Sequence, residues 1–431
     1  MNKFELTGTD TFVYHDVLSN GLNIYLIPYD NKNNYFMSYF TKFGSINLTF
    51  QNETDKKMIT VPKGIAHFLE HKMFEQEDGN VPFEFYSKSG TGCNASTGFK
   101  ATRYIVYGTN NLKENLKYLL KYLNSPYFTD ENVEKEKGII AEEIKMYDDN
   151  PEWILTEEVE KATFKVHPIR DDIAGYVDTI KDITKEDLYN CYNTFYQPSN
   201  MGLIVGGKFD PNEIMDLIRN DEYVNKKKKT KLPKNKEINE PLKVNTKEKE
   251  LTFHNVTSPK AGYTIKISIK DIKEEDRYEY NIYVGMILNI LFGSSSLFRE
   301  NMMKSNLLNS LMLERMIVDD YLVITFWIES KKPKLLIKNI KEQFDNYVIT
   351  EEEIERCKRV WISSEVIMTD NVEITVDNMV NDIIEYGKIV PEKIPIIRSM
   401  NMKKLKEIRE TFDFENSSTV ILLPEDKATN H

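Results

Sequence analysis

The chain has 431 residues, 40% hydrophobic and 29% charged, with a formal net charge of −11. This is globular usage in a chain long enough for two or more domains and a substantial core, and it argues against a long disordered protein. The acidic balance argues against a nucleic-acid binder working by bulk electrostatics. Three dispersed cysteines, Cys93, Cys191 and Cys357, make neither a disulfide framework nor a Cys-x-x-Cys metal site, and each reads as a small buried apolar residue.

The start, MNKFELTGTDTFVYHD, lacks a basic-then-apolar secretory pattern, and no run of about 18 apolar residues is seen, so the expectation is a cytoplasmic protein without a membrane span. Next, Asn20-Gly21 between TFVYHDVLS and LNIYLIPY predicts a β-hairpin. Tyr35–Phe43 and Thr102–Tyr107, rich in aromatic and β-branched residues, predict strands. Helical patterns cover Lys63–Glu75, Leu112–Leu123, Asp130–Tyr147 and Lys185–Phe195. The third ends before Asn150-Pro151, because proline disfavours helix in the residue before it. Hairpins with interspersed helices predict largely antiparallel sheets with helices packed on a face.

The run Asn225–Lys236, NKKKKTKLPKNK, predicts a solvated linker in preference to a basic tail for an acidic partner. A weak internal repeat agrees. Leu188–Val205, LYNCYNTFYQPSNMGLIV, and Leu405–Leu422, LKEIRETFDFENSSTVIL, both run helix, Thr-Phe, polar turn, apolar strand. Thr194-Phe195 and Thr411-Phe412 are offset by 412 − 195 = 217 residues, about half the chain. The expected organisation is 1–224, a basic linker 225–248, and a similar half 249–431.

The chemistry is concentrated in Gly64–Glu75, GIAHFLEHKMFE, which holds the H-x-x-E-H motif His67-Phe68-Leu69-Glu70-His71. Positions i and i+4 lie on one helical face, so His67 and His71 can offer neutral imidazole nitrogens to one metal ion. Glu70, at i+3, falls beside that face, where a general base could take a proton from a metal-bound water. Ile65, Phe68 and Leu69 anchor the opposite face. A catalytic zinc takes three protein ligands. The third is sought in Asp130–Tyr147, DENVEKEKGIIAEEIKMY, where Glu136 and Glu143 share a face and Glu142 competes with Glu143 by spacing alone.

With its H-x-x-E-H motif, the acidic helix and the stretch Thr91–Gly98, TGCNASTG, the chain resembles the insulinase-type (M16, inverzincin) zinc metallopeptidases. GIAHFLEHKMFE and EKEKGII-EEIKMYDDNPEW resemble bacterial single-length (M16B-like) members, close to the processing peptidases. The family places a ligand Glu some seventy-odd residues after the motif; here the gap to Glu143 is 143 − 71 = 72. It also carries a Glu seven residues earlier that supports the site without binding the metal, which implies Glu136 and favours Glu143 over Glu142. By the same resemblance Asn94 and Ala95 line the cleft, at a sheet edge to which a peptide substrate adds as a strand.

The resemblance implies an α+β fold. Two similar halves, each a largely antiparallel sheet packed with helices, would face each other around a peptide cleft. It implies one Zn2+ per chain and an endopeptidase acting on short or unstructured peptides, with Glu70 as general base; leader-peptide processing of a ribosomally made peptide is one such role. One departure stands out. After Leu297-Phe298, Met302 and Asn309 occupy the places of the family's substrate-binding Arg and Tyr, and Arg299 is out of register. That implies a second M16-type chain as partner, in a heterodimer or homodimer. The rival is a non-catalytic peptide-binding or scaffolding subunit; such members usually lose motif residues, and this chain keeps all four, His67, Glu70, His71 and Glu143.

Overall fold

The structure is a computed structural model that describes residues 1–53 and 56–425. The chain forms two compact units that do not coincide with its sequence halves. Unit 1 comprises Met1–Ile144, Asp172–Glu237 and Glu365–Lys393. Unit 2 comprises Lys145–Asp171, Ile238–Ser364 and, among the described residues, Ile394–Glu425.

Unit 1 contains β1 (Asn2–Glu5), β2 (Phe12–Val17), β3 (Asn23–Pro28), β4 (Tyr35–Thr41), β5 (Thr49–Gln51), β6 (Met58–Thr60), β7 (Gly92–Thr97), β8 (Thr102–Gly108) and β9 (Met201–Gly207). Its main sheet runs β1-β2-β3-β9-β4-β8-β7. Only β3 and β9 pair in parallel; the other neighbours are antiparallel. The hairpin expected at Asn20-Gly21 is β2–β3, with Gly21 in the left-handed region at φ 93°. β4 is buried at every residue, so its sequence YFMSYFT is nearly continuous in apolar and aromatic residues rather than alternating.

Unit 2 contains β10 (Glu248–Phe253), β11 (Lys260–Ser268), β12 (Ser310–Val318), β13 (Tyr321–Glu329) and β14 (Ser417–Pro424), in the order β10-β14-β11-β13-β12. That order repeats β3-β9-β4-β8-β7 strand for strand, down to the single parallel pair, β10 with β14. The repeat seen in the sequence is the last helix–strand step of each half: Lys185–Phe195 into β9, and Met402–Arg409 into β14.

Each sheet is covered by a helix from the other sequence half. In unit 1, helix Val372–Tyr386 lays Val372, Val376, Met379, Val380 and Ile383 against Phe36, Phe40 and Ile204. A Cβ on Gly206 of β9 would meet Val372 Cγ1 at 2.8 Å, so glycine permits the close approach of this helix. Arg103 pairs with Asp377, and Lys100 with Glu385 at 2.9 Å, at the rim. In unit 2, helix Pro151–Thr163 packs Leu155, Val159 and Ala162 against Val256, Val420 and Leu422. There a buried ion pair, Lys266 Nζ to Glu240 Oε1 at 2.8 Å, is fully used. Glu240 also accepts from the N–H groups of Lys165, Val166 and His167 at 2.8–2.9 Å. Satisfaction on that scale lets charge be buried.

One expectation changes. The lysine run is not a free tether: the N–H of Gln51 donates to Lys234 O at 2.9 Å, and that of Lys236 to Thr49 O at 2.8 Å, extending the β5–β6 ribbon. Lys227 sets its Nζ over the Tyr192 ring, 4.3 Å from the centroid, and donates to Tyr196 O at 2.6 Å; burial pushes its pKa down to about 7. A lysine-rich composition hides such a residue, because one amine of the run can settle against an aromatic face and a carbonyl while its neighbours stay in water. The stretch Glu274–Lys304, which includes helices Arg277–Phe292 and Leu297–Lys304, is, among the described residues, the one apolar and long enough by composition alone to cross a membrane. Its apolar window is 61% buried within the protein, mainly through helix Arg277–Phe292, whose residues Val284 to Phe292 are nearly all core.

Candidate metal centre

The motif helix runs Ile65–Lys72, within the predicted span. Gly64 precedes it at φ 88°, where a Cβ would lie 2.4 Å from Ala174 O. Ile65, Phe68 and Leu69 are at most 1% exposed, so one face is fixed in the core. His67 and His71 stand on another face, ring centroids 4.5 Å apart. Glu143 arrives from helix Asp130–Asp148. Its Oε1 is 3.8 Å from His67 Nε2 and its Oε2 is 3.5 Å from His71 Nε2.

The ligand atoms of these three residues lie within 4.8 Å of one another, and among the described residues no other His, Cys, Asp or Glu trio does so. Glu142 is not part of the group. Bonds of about 2.0–2.2 Å in a tetrahedron put donors about 3.3 Å apart, so two imidazole nitrogens and a carboxylate with one oxygen near each of them fit the three protein ligands of a zinc ion with one position left open.

The two imidazoles are held differently. Burial, with His71 beside it, pushes the His67 pKa down to about 4, so its ring is neutral at physiological pH and keeps a lone pair for a metal. Its Nδ1 is buried without a hydrogen-bond partner among the described residues. His71 Nδ1 lies 3.1 Å from Glu136 Oε1. Burial lowers the His71 pKa, but the bond to Glu136 and the surrounding carboxylates outweigh it, and the net direction is up. Metal binding at His71 Nε2 competes with protonation there. Burial raises the Glu136 carboxyl, yet the bond from His71 and the charge on Lys72 hold it below its usual value. An ionised Glu136 makes Nδ1 the protonated nitrogen and leaves the Nε2 lone pair facing Glu143.

Glu70 is 7% exposed, and burial raises its pKa. Against that, Thr97 Oγ1 donates to Glu70 Oε2 at 2.6 Å. Thr97 ends β7, the edge strand beside β8, so this contact ties the motif helix to the sheet edge. Asn94 is exposed on β7 and Ala95 half-buried. The N–H of Ala95 is taken by Asn94 Oδ1 at 2.9 Å, a local bond that an added strand would replace.

Thr97 and Lys72 were not singled out from the sequence. Thr97 is two residues beyond Ala95 on the same strand face, a weak signal for a residue near the site. Lys72 gives no signal, because a lysine after the motif reads as solvated, whereas its side chain is 0% exposed. Thr97→Val keeps the shape and deletes the donor. It is expected to lower kcat by about tenfold with KM little changed, from the loss of about 1.4 kcal/mol of a charge-assisted bond. Steady-state kinetics beside Thr97→Ser, expected near wild type, checks this.

In unit 2, Met302 sits in helix Leu297–Lys304 with its Sδ 3.5 Å from Asn339 Nδ2. Asn309 is exposed just before β12, with Nδ2 bonded to Ser258 Oγ at 3.3 Å. Arg299 does not substitute for the missing basic residue: its Nε and Nη2 donate to Phe292 O at 3.3 and 3.2 Å, closing the end of the preceding helix.

Comparison with known proteins points the same way. Residues 60–176 match the family described as Insulinase (Peptidase family M16), and residues 182–360 match Peptidase M16 inactive domain. The uncharacterized zinc protease YmfH of Bacillus subtilis (strain 168) is 43% identical over 286 residues, 66% of this chain and 66% of that protein. A probable mitochondrial-processing peptidase subunit beta of Arabidopsis thaliana is 26% identical over 160 residues, 36% of this chain and 30% of that one. The matched part thus spans no more than about two thirds of these relatives. A crystal structure of an M16-like peptidase from Alicyclobacillus acidocaldarius superposes with a TM-score of 0.90 at 28% identity, over 96% of this chain and 99% of that one. With both M16 domain types in order along one chain, and the fold shared almost end to end with an M16-like peptidase, the chain belongs to peptidase family M16, the insulinase family.

Proposed function

We propose that the chain is a zinc-dependent endopeptidase that cleaves short or unstructured peptides. The observation that carries this reading is the convergence of His67, His71 and Glu143, with donor atoms within 4.8 Å, beside a buried Glu70 on the same helix. Bound zinc supplies Lewis acidity for carbonyl polarisation and water activation. Glu70 takes the proton of the attacking water and delivers it to the leaving amine nitrogen. Thr97 holds one Glu70 oxygen, so the other is the one that moves the proton. Glu136 holds His71 with its Nε2 toward the metal. The peptide adds as a strand at the β7 edge, where Asn94 and Ala95 exchange their mutual bond for bonds to its backbone. Only peptide without stable structure of its own can pair in this way, leader segments of ribosomally made peptides among it.

A second M16-type chain belongs to the proposal. Met302 and Asn309 offer neither a cation nor a phenol for substrate, and the Arabidopsis relative is named a subunit. The four retained motif residues speak against a purely scaffolding role. The test is cleavage of a quenched-fluorescent, unstructured peptide by the purified chain, alone and co-expressed with an M16-type partner, with light scattering to identify the active species. Cleavage should vanish with a zinc chelator and return with added zinc. A zinc-loaded chain inert toward a broad peptide library in both forms would overturn the peptidase reading; full activity as a lone monomer would overturn the partner.

A further inference from the structure

Two carboxylates, Glu136 and Glu143, reach the His71 side of the site from one face of one helix. Glu143 presents an oxygen to each imidazole Nε2, at 3.8 and 3.5 Å. Glu136 is committed elsewhere. Its Oε1 meets His71 Nδ1 at 3.1 Å, and its Oε2 faces Lys72 Nζ at 3.5 Å. Lys72 closes the motif helix and is wholly buried, its Nζ shared with Glu75. The two partners of Lys72 are not equivalent. The Glu75 side chain is 41% exposed and can be solvated, whereas that of Glu136 is 12% exposed and cannot. Removing a buried ion's partner is far costlier than removing that of a solvated one, so Glu136 is the group that needs the lysine.

We propose that Lys72 is a positioning residue that assigns the two carboxylates their roles. By occupying Glu136 Oε2 while His71 occupies Oε1, it keeps Glu136 off the metal and leaves the cation to Glu143. A carboxylate engaged on both oxygens is fixed in rotamer, and it fixes the His71 ring in turn. Without Lys72, one Glu136 oxygen is released beside the imidazoles. Glu136 then either swings away from His71 or competes with Glu143 as ligand. This rests on the zinc reading above.

The experiment measures metal binding, not turnover. Zinc affinity of the full chain is determined by competition with a chromophoric chelator, and the visible spectrum is recorded after cobalt(II) substitution. Lys72→Met keeps the stem and removes the charge. It is expected to weaken zinc by about 10–100-fold, the usual size of an outer-shell loss, and to shift the cobalt bands. Should it not fold, Lys72→Gln replaces it. In a Glu136→Gln background the same substitution should add less than about twofold, since the carboxylate that Lys72 controls is already gone. Unchanged affinity and spectrum in a wild type that binds zinc would overturn this role alone, as would additive effects of the two substitutions. A wild-type chain that takes up no zinc would overturn the metal reading and this inference together.

Discussion

Glu70→Gln is expected to keep one zinc per chain and to lose about 10²–10⁴-fold in kcat, the range for a positioned acid–base group. The amide is isosteric and can still accept from Thr97, which holds Glu70 Oε2 at 2.6 Å in the native protein. It cannot take a proton. The loss corresponds to about 2.7–5.5 kcal/mol on the barrier. It should fall on kcat with little change in KM, because the missing interaction forms only as the water is deprotonated. Zinc content by elemental analysis and steady-state kinetics on a peptide check it together. Turnover near wild type at full zinc occupancy would remove Glu70 from the chemistry.

His71→Ala is expected to take zinc content from about one per chain to a small fraction after dialysis, since a three-ligand site that loses one donor falls below the usual protein ligand set. The damage reaches further. Glu136 loses its imidazole partner and keeps Lys72, at 3.5 Å. Glu143 keeps His67, at 3.8 Å. Glu143→Gln should behave similarly, and Glu142→Gln should bind zinc as wild type, separating the two acids that spacing alone leaves open. One zinc per chain in His71→Ala would refute the ligand assignment.

What the sequence disclosed was local or periodic. The H-x-x-E-H turn, the apolar face of Ile65, Phe68 and Leu69, and the Asn-Gly hairpin each depend on a few consecutive residues, whose geometry the backbone dictates. The repeat of Thr194-Phe195 at Thr411-Phe412 marked the shared strand order because it falls where β9 and β14 insert. What stayed hidden depends on distant partners. The buried Lys72 meets, besides the nearby Glu75, the carboxylate of Glu136, 64 residues on (136 − 72). Thr97 matters because the sheet edge passes the motif helix. The reciprocal helices defeat any reading that cuts the chain at its most polar segment, since Val372–Tyr386 carries the apolar face of a helix without naming the sheet it covers.

That reciprocity sets a constraint during synthesis. The strands of unit 1 are complete at Gly207, but Phe36, Phe40 and Ile204 gain their cover only when Val372–Tyr386 has been made. Unit 1 ends at Lys393, 393 − 237 = 156 residues after the chain leaves it at Glu237. At 5–20 residues per second a ribosome needs about 8–30 s for that stretch. Through that interval the nascent unit 1 carries a bare apolar sheet, so the protein matures as a whole and no excised front half would reproduce it.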